Sequence, residues 1–439
     1  MRKRVLIILL AIFAVLSSAF ALSACESNEN TDEYDGILKF ISYGDDAYTV
    51  FAVETDYLEY VIIPATYRQK PVIGIEARAF SSASSLLEIV ISDSVTSIGA
   101  EAFSGCDSLA SVTFGKNSQL AGIGEDAFGG CFSLTSITIP DSVTSIGDRA
   151  FSGCTSLTSI TIPDSVTSIG VGAFYGCNSL KSITIPDSVT SIGRSAFSYC
   201  SSLTSVEFGE NSQLESIDKF AFYNCDGLTS IEIPDSVTSI GYEAFYNCPI
   251  ESATIPALAC SYINNINLKT VVITSGESIV KEAFYNCSNL TSVTIPDSVR
   301  WIGQRAFFNC SKLTSITIPD SVTIIYNYVF YCCSSLTSIT IPDSVTIIYY
   351  GAFSGCSNLT SVTIPNSVTS IDDYAFDYCS SLTSVYYCGT KSDWANIKIG
   401  DNDKLRNAAI YYFSETEPTE SGNYWHYDAD GVPAVWQSA

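Results

Sequence analysis

The sequence predicts a solenoid, a stack of near-identical coils built from short parallel strands. Three observations predict it. One stretch of sequence recurs: Ser133–Cys154 reads SLTSITIPDSVTSIGDRAFSGC, and Ser156–Cys177 reads SLTSITIPDSVTSIGVGAFYGC. The repeat phenylalanine returns at a near-constant interval, at Phe80, Phe103, Phe128, Phe151, Phe174, Phe197, Phe222, Phe245, Phe284, Phe307, Phe330, Phe353 and Phe376. Hydrophobic residues make up 46% of the 439 residues, too many for a disordered chain. Repeat arrays grow in one dimension, so length here counts coils rather than domains.

Within one unit each element follows from its residues. Ser159-Ile160-Thr161-Ile162 alternates polar and apolar, the pattern of a half-buried strand. Pro163-Asp164 ends it with turn chemistry. Thr167-Ser168-Ile169 is a second short extended piece. Ala173, Phe174 and Cys177 lie at helical offsets, which predicts one helical or 3-10 turn returning the chain. A single coil buries too few apolar side chains to offset the ordering of 23 residues, so stability must come from stacking. Two phenylalanine intervals are 25 residues, through the insertions Gly115–Leu120 and Gly209–Leu214. The interval from Phe245 to Phe284 is 39, which reads as a regular coil plus a shortened one, near 249–268, without its Ala-Phe turn.

The consensus Leu-x-x-Ile-x-Ile-Pro-x-x-Val-x-x-Ile-x-x-x-Ala-Phe-x-x-Cys resembles the BspA-type leucine-rich repeat family of bacterial surface proteins. The resemblance implies a right-handed leucine-rich-repeat coil, a place on the cell surface, and adhesion or host interaction. It brings no shared binding residue.

The ends differ from the repeats. Arg2, Lys3 and Arg4 precede an apolar run from Val5 to Leu16, and Leu22-Ser23-Ala24-Cys25 follows. Basic start, apolar centre and small residues describe an export signal. The last four residues resemble the lipobox of bacterial lipoproteins, in which Cys25 would carry the lipid. The competing reading is an uncleaved membrane anchor, since a span needs ~20 residues. The segments predicted are a lipoprotein signal peptide (1–24), an acidic tether (25–35), an N-terminal cap (36–59), the solenoid (60–382), a C-terminal cap (383–413) and a tail (414–439). Leu38–Val53 alternates around Gly44-Asp45-Asp46, which predicts a capping β-hairpin. In the tail, Tyr424–Tyr427 and Val435-Trp436 flank Asp428–Pro433 and suggest a small hairpin.

The net charge is −25; without residues 1–24 the chain has 18 basic and 46 acidic side chains, a net of −28. That argues against nucleic acid as a partner. The single histidine, His426, leaves no Ser–His or Cys–His nucleophile in the repeats, and no phosphate-cradling glycine loop occurs. The chain reads as a non-enzyme without a cofactor or metal centre.

Twelve of the sixteen cysteines stand three residues after a repeat phenylalanine: Cys106, Cys131, Cys154, Cys177, Cys200, Cys225, Cys248, Cys287, Cys310, Cys333, Cys356 and Cys379. No Cys-x-x-Cys pair occurs, so metal spacing is absent. Stacking aims neighbouring Cβ vectors the same way, poor geometry for disulfides, so the ladder reads as buried free thiols. The aspartates Asp141, Asp164, Asp187, Asp235, Asp297, Asp320 and Asp343 form a column that serves the turn after proline; a calcium-bridged column is the rival reading. Thr158, Ser159 and Thr161, with their equivalents, present a hydroxyl face that suits β-structure, or glycans.

Copies differ most around Ala-Phe. There the later coils gather Tyr326, Tyr328, Tyr331, Tyr349, Tyr350, Tyr374 and Tyr378. Exposed tyrosine buries much area at low entropic cost, which makes this patch the candidate surface for binding extracellular or host proteins. The competing reading is a tyrosine ladder that only packs coils together, in a protein that acts as an envelope spacer or display scaffold.

Overall fold

The structure is a computed structural model, and it describes residues 37–53, 55–263, 265–419 and 421–436. The signal segment 1–24, Cys25 and the tether 25–35 lie outside the described residues. The chain forms two compact units, residues 1–202 and 203–439.

In the first unit an antiparallel hairpin, Leu38–Tyr43 with Ala47–Ala52, covers the first coil. Its second strand pairs in parallel with Lys70–Ile75. From there the short second strand of each coil adds to one parallel ladder through Ser97–Ile98, Gly122–Ile123, Ser145–Ile146, Ser168–Ile169 and Ser191–Ile192. The first strands form their own parallel sets: Tyr60–Ile63, Glu88–Ile91 and Ser111–Phe114, then Ser136–Thr138 with Ser159–Thr161. Register is in step. Ile137 faces Ile160, so identical side chains stack on identical side chains.

The core is a set of columns. Leu157, Ile160, Ile162, Val166, Ile169, Ala173, Phe174 and Cys177 are all buried, as are their equivalents in neighbouring coils. Successive phenylalanines stack face to face with centroids 5.1–5.5 Å apart, from Phe80 through Phe197. Serine after the turn aspartate ties coils to the previous one: Ser165 Oγ donates to the Val143 carbonyl at 2.5 Å and Ser188 Oγ to Val166 at 2.7 Å, while the Ser236 hydroxyl lacks such a partner among the described residues. Each such bond satisfies a half-buried hydroxyl and a backbone carbonyl together.

The return around Ala-Phe is a chain of tight turns. Ala150, Ser152 and Cys154 donate N–H bonds to the carbonyls three residues before them, at Gly147, Arg149 and Phe151. Residues two before and two after the phenylalanine are left-handed in all thirteen coils that carry it, as in Arg149 (φ 53°) and Gly153 (φ 73°). This alternation of hand keeps the return from winding into a continuous helix.

In the second unit, Ser230–Glu232, Ser252–Ile255, Thr270–Ile273 and Ser292–Thr294 pair in parallel. A second set runs Ser338–Thr340, Ser361–Ile364, Ser384–Tyr387 and Ala409–Phe413. Between them, Thr314–Thr317 carries no strand, although its words match Thr158–Thr161. Thr337 N–H reaches the Thr314 carbonyl at 3.5 Å, as Lys181 N–H does the Thr158 carbonyl, so this contact does not set the two copies apart.

Ala409–Phe413 does not end the sheet. Tyr424–Tyr427 adds to it in parallel and turns back through Pro433–Val435. The reason is Trp425, which is fully buried and donates its indole N–H to the Tyr387 carbonyl at 2.9 Å. The hairpin expected in the tail is thus part of the cap. Two short helices precede it, Lys391–Asn396 and Asp403–Asn407. The first starts at a capping box in which Thr390 and Asp393 bond each other's backbone N–H.

Candidate binding surface

All seven candidate tyrosines lie in the second unit on the turns around Ala-Phe. Register explains which of them meet. Tyr328 and Tyr374 occupy the left-handed position two residues before the phenylalanine, and Tyr378 the left-handed position two after it. Tyr350 stands three before. Edge-to-face contacts run from Tyr328 to Tyr350 at 5.3 Å and on to Tyr374 at 5.4 Å, with Tyr331 joining Tyr328 at 5.5 Å. Tyr326 and Tyr349 form a separate stacked pair at 5.9 Å. Tyr378 is 72% exposed, Tyr374 40% and Tyr350 36%; the other four are half-buried.

Two further aromatics extend the patch. Tyr285, Phe308 and Tyr331 all follow the repeat phenylalanine directly and stack at 4.8 and 4.7 Å. The sequence carries this signal in the register, since each sits one residue after Phe284, Phe307 or Phe330. The Arg305 guanidinium lies 5.6 Å from the centre of the Tyr328 ring, a cation–π contact. The Asp401 carboxylate is the main cause that raises the Tyr374 phenol above its ordinary range, while partial burial does so for Tyr350. Both phenols therefore stay protonated and able to donate hydrogen bonds at neutral pH.

The cysteine ladder is free and buried at all twelve positions. The thiols also bond. Cys154 Sγ donates to the Phe128 carbonyl at 3.2 Å and Cys177 Sγ to Phe151 at 3.2 Å, 26 residues back, and Cys131 reaches Phe103, 28 back across an insertion. Burial pushes Cys106, Cys154 and Cys200 up to about 12. They are poor nucleophiles for that reason. Cys332 is half-exposed and Cys388 partly so.

The aspartate column stays exposed or half-exposed at the turns. Among the described residues no three His, Cys, Asp or Glu side chains converge as a metal site would require. On the strand face, threonine hydroxyls bond the previous coil: Thr158 Oγ1 donates to the Thr135 carbonyl at 3.1 Å, and Thr190 to Thr167 at 3.2 Å. His426 bonds its neighbour's carbonyl through Nδ1 at 2.9 Å and stacks on Trp436 at 3.9 Å. No helix among the described residues is long and apolar enough to cross a membrane.

The sequence profile described as "BspA type Leucine rich repeat region (6 copies)" matches residues 73–204, 121–251, 191–275 and 277–397. A search of curated proteins found no match. Among solved structures, the chain is similar to a leucine-rich cell surface protein from Faecalibacterium prausnitzii A2-165. That pair shares 32% identity over 85% of this chain and 99% of the other, with a TM-score of 0.41. It is also similar to a leucine-rich repeat protein from Bacteroides ovatus ATCC 8483, at 27% identity over 88% and 100% of the chains, with a TM-score of 0.52. With its repeats matched along most of their length and its coils stacked in register, the chain belongs to the BspA-type leucine-rich repeat family.

Proposed function

We propose that this chain is held outside the cytoplasm at a bacterial cell surface by a lipid on Cys25 and binds extracellular or host proteins through its tyrosine-bearing turns. The observation that carries the binding role is the continuous run Tyr328–Tyr350–Tyr374, in which two of the three rings are more than a third exposed. Aromatic rings fixed by their neighbours offer contact area without ordering cost. The anchoring role is supported by the Leu-Ser-Ala-Cys ending of the apolar leader, and the surface location by the family. The acidic charge favours protein or glycan partners over nucleic acid.

A second reading has its own observation. The same ring contacts join one coil to the next, which is what a spacer or display scaffold needs. One experiment separates the two. The full chain and a variant with Tyr326, Tyr328, Tyr349 and Tyr350 changed to serine are tested against extracellular matrix proteins, mucins and surface glycans. Saturable binding that the variant loses while it stays folded supports the binding role. A variant that loses stability, from a parent that binds nothing, supports the scaffold. Metabolic labelling with a fatty acid, lost in Cys25→Ala, tests the anchor.

A further inference from the structure

The ladder of turns in the second unit has a gap. Leu268 follows Ile250 by 18 residues, where Leu180 follows Leu157 by 23. The short coil keeps its first strand, Ser252–Ile255, in place between its neighbours. After a 3-10 turn at Ala257–Ala259 it returns directly, with neither a second strand nor an Ala-Phe turn.

The hydrogen bonds record what is missing. In a regular coil three turn N–H groups donate to the next coil. Arg305, Phe307 and Asn309 donate to the carbonyls of Asn327, Val329 and Tyr331 at 3.1, 2.9 and 2.7 Å. Glu243, Phe245 and Asn247 occupy the same three places before the gap, and their N–H groups find no acceptor among the described residues. The phenylalanine column stops with them. Phe245 stacks on Phe222 at 5.3 Å, and the column resumes with Phe284 on Phe307. The far end of the column is treated differently. There the buried Asn402 side chain accepts the Phe376 N–H and closes the ladder. Among the described residues the gap has no such cap.

It opens instead as a notch of about 810 Å³ whose walls include Tyr242, Glu243, Phe245, Tyr246, Tyr262 and Ile266. Tyr242 is 68% exposed and Ile266 63%, large apolar surface left in water beside unpaired donors. Charge adds direction. At the left-handed position two before the phenylalanine, adjacent coils pair arginine with glutamate: Arg78 with Glu101 at 2.8 Å, and Arg305 with Glu282 at 3.3 Å. Glu243 holds that position at the gap, where the coil that would bring an arginine is absent.

We propose that this notch docks a peptide segment of a partner protein that takes the place of the missing turn. Its carbonyls accept from Glu243, Phe245 and Asn247, its aromatic side chain packs on the exposed rings of Tyr242 and Tyr246, and an arginine two residues earlier pairs with Glu243. Adding a segment to an open backbone ladder, with pockets reading its side chains, is an established recognition mode. The site lies on coils other than those bearing the tyrosine run, so it stands apart from that binding role.

The chain supplies its own probe. A peptide with the sequence of Gly303–Asn309, Gly-Gln-Arg-Ala-Phe-Phe-Asn with blocked ends, presents the required turn. Titrated into the full chain, it is expected to bind saturably and to slow amide exchange at Glu243, Phe245 and Asn247. Glu243→Arg, or glutamate in place of the peptide's arginine, is expected to weaken binding at least tenfold or so, and the two changes together to restore it. The Glu243 side chain is partly exposed, and Glu243→Gln serves as a second variant should the arginine disturb folding. No binding by ~1 mM peptide, or binding indifferent to Glu243 and to the swap, overturns the proposal. Binding without exchange protection at those three amides overturns it as well.

Discussion

Asn402 Oδ1 accepts the N–H of Phe376 at 3.1 Å, in the place where Phe353 meets the carbonyl of Ala375 at 2.8 Å. Its Nδ2 donates to the Asp372 carbonyl at 2.8 Å. One buried side chain thus stands in for the backbone of a further coil. Asn402→Leu leaves the Phe376 N–H unpaired and the Asp372 carbonyl with only the Ala375 N–H, at 3.4 Å. The expected loss is about 1–3 kcal/mol, read by urea unfolding. Faster amide exchange should be confined to the last coils, since coils depend on their neighbours.

Gly147 packs against the preceding coil's backbone. A Cβ there would lie 2.7 Å from the Ile123 carbonyl oxygen and 2.8 Å from the Gly124 carbonyl carbon. Backbone cannot move aside as a side chain can. Gly147→Ala is expected to destabilise by about 1–3 kcal/mol in thermal unfolding. Equal stability of variant and parent would show that the stack spacing yields.

The thiols predict alkaline sensitivity. Burial holds Cys154 and Cys200 at about 12 in the folded chain, against about 9 when exposed. As pH rises past 9 the unfolded chain loses these protons first, so it binds fewer protons than the folded one. Stability is therefore fully present below about 9 and declines toward about 12, by up to ~1.4 kcal/mol per pH unit for each such thiol. Urea midpoints measured at intervals across that range should fall steeply. Cys154→Ala with Cys200→Ala should flatten the fall.

Trp425 fastens the final hairpin. Trp425→Phe keeps most of the ring's burial and removes the N–H bond to the Tyr387 carbonyl, at an expected cost of about 1 kcal/mol. Trp425→Ala should cost about 3–5 kcal/mol and free the hairpin to limited proteolysis.

The coils were legible because every copy repeats the same apolar positions, and stacking in register turns each position into a column. Turn geometry was half legible. Gly105, Gly130, Asn224 and Asn286 are residue types that tolerate left-handed backbone, yet Tyr328, Tyr374 and Tyr378 sit in the same conformation with no such mark. Only their register betrays them. The lost strand at Thr314–Thr317 leaves no local trace, because pairing belongs to neighbours and not to the segment. The tyrosine patch was legible as a recurrence, but its extension through Phe308 needed a column read across copies. The notch was visible only as a missing length: the sequence tells where a turn is absent, and the bond network tells which groups that absence leaves unpaired.

In a chain whose coils present interchangeable faces, a coil can stack on the wrong neighbour and lose little contact energy. The aligned phenylalanine column makes such a slip almost degenerate: Phe151 would meet Phe197 much as it meets Phe174. Irregular coils break the degeneracy. The insertions Gly115–Leu120 and Gly209–Leu214 and the short coil Ile250–Asn267 differ in length from the 23-residue coils around them. A coil of different length cannot be exchanged for a regular one without a mismatch, so such coils would mark register during folding. A chain built from 23-residue coils alone would therefore be expected to fold more slowly and to populate misregistered stacks, for want of any feature that tells one coil from the next.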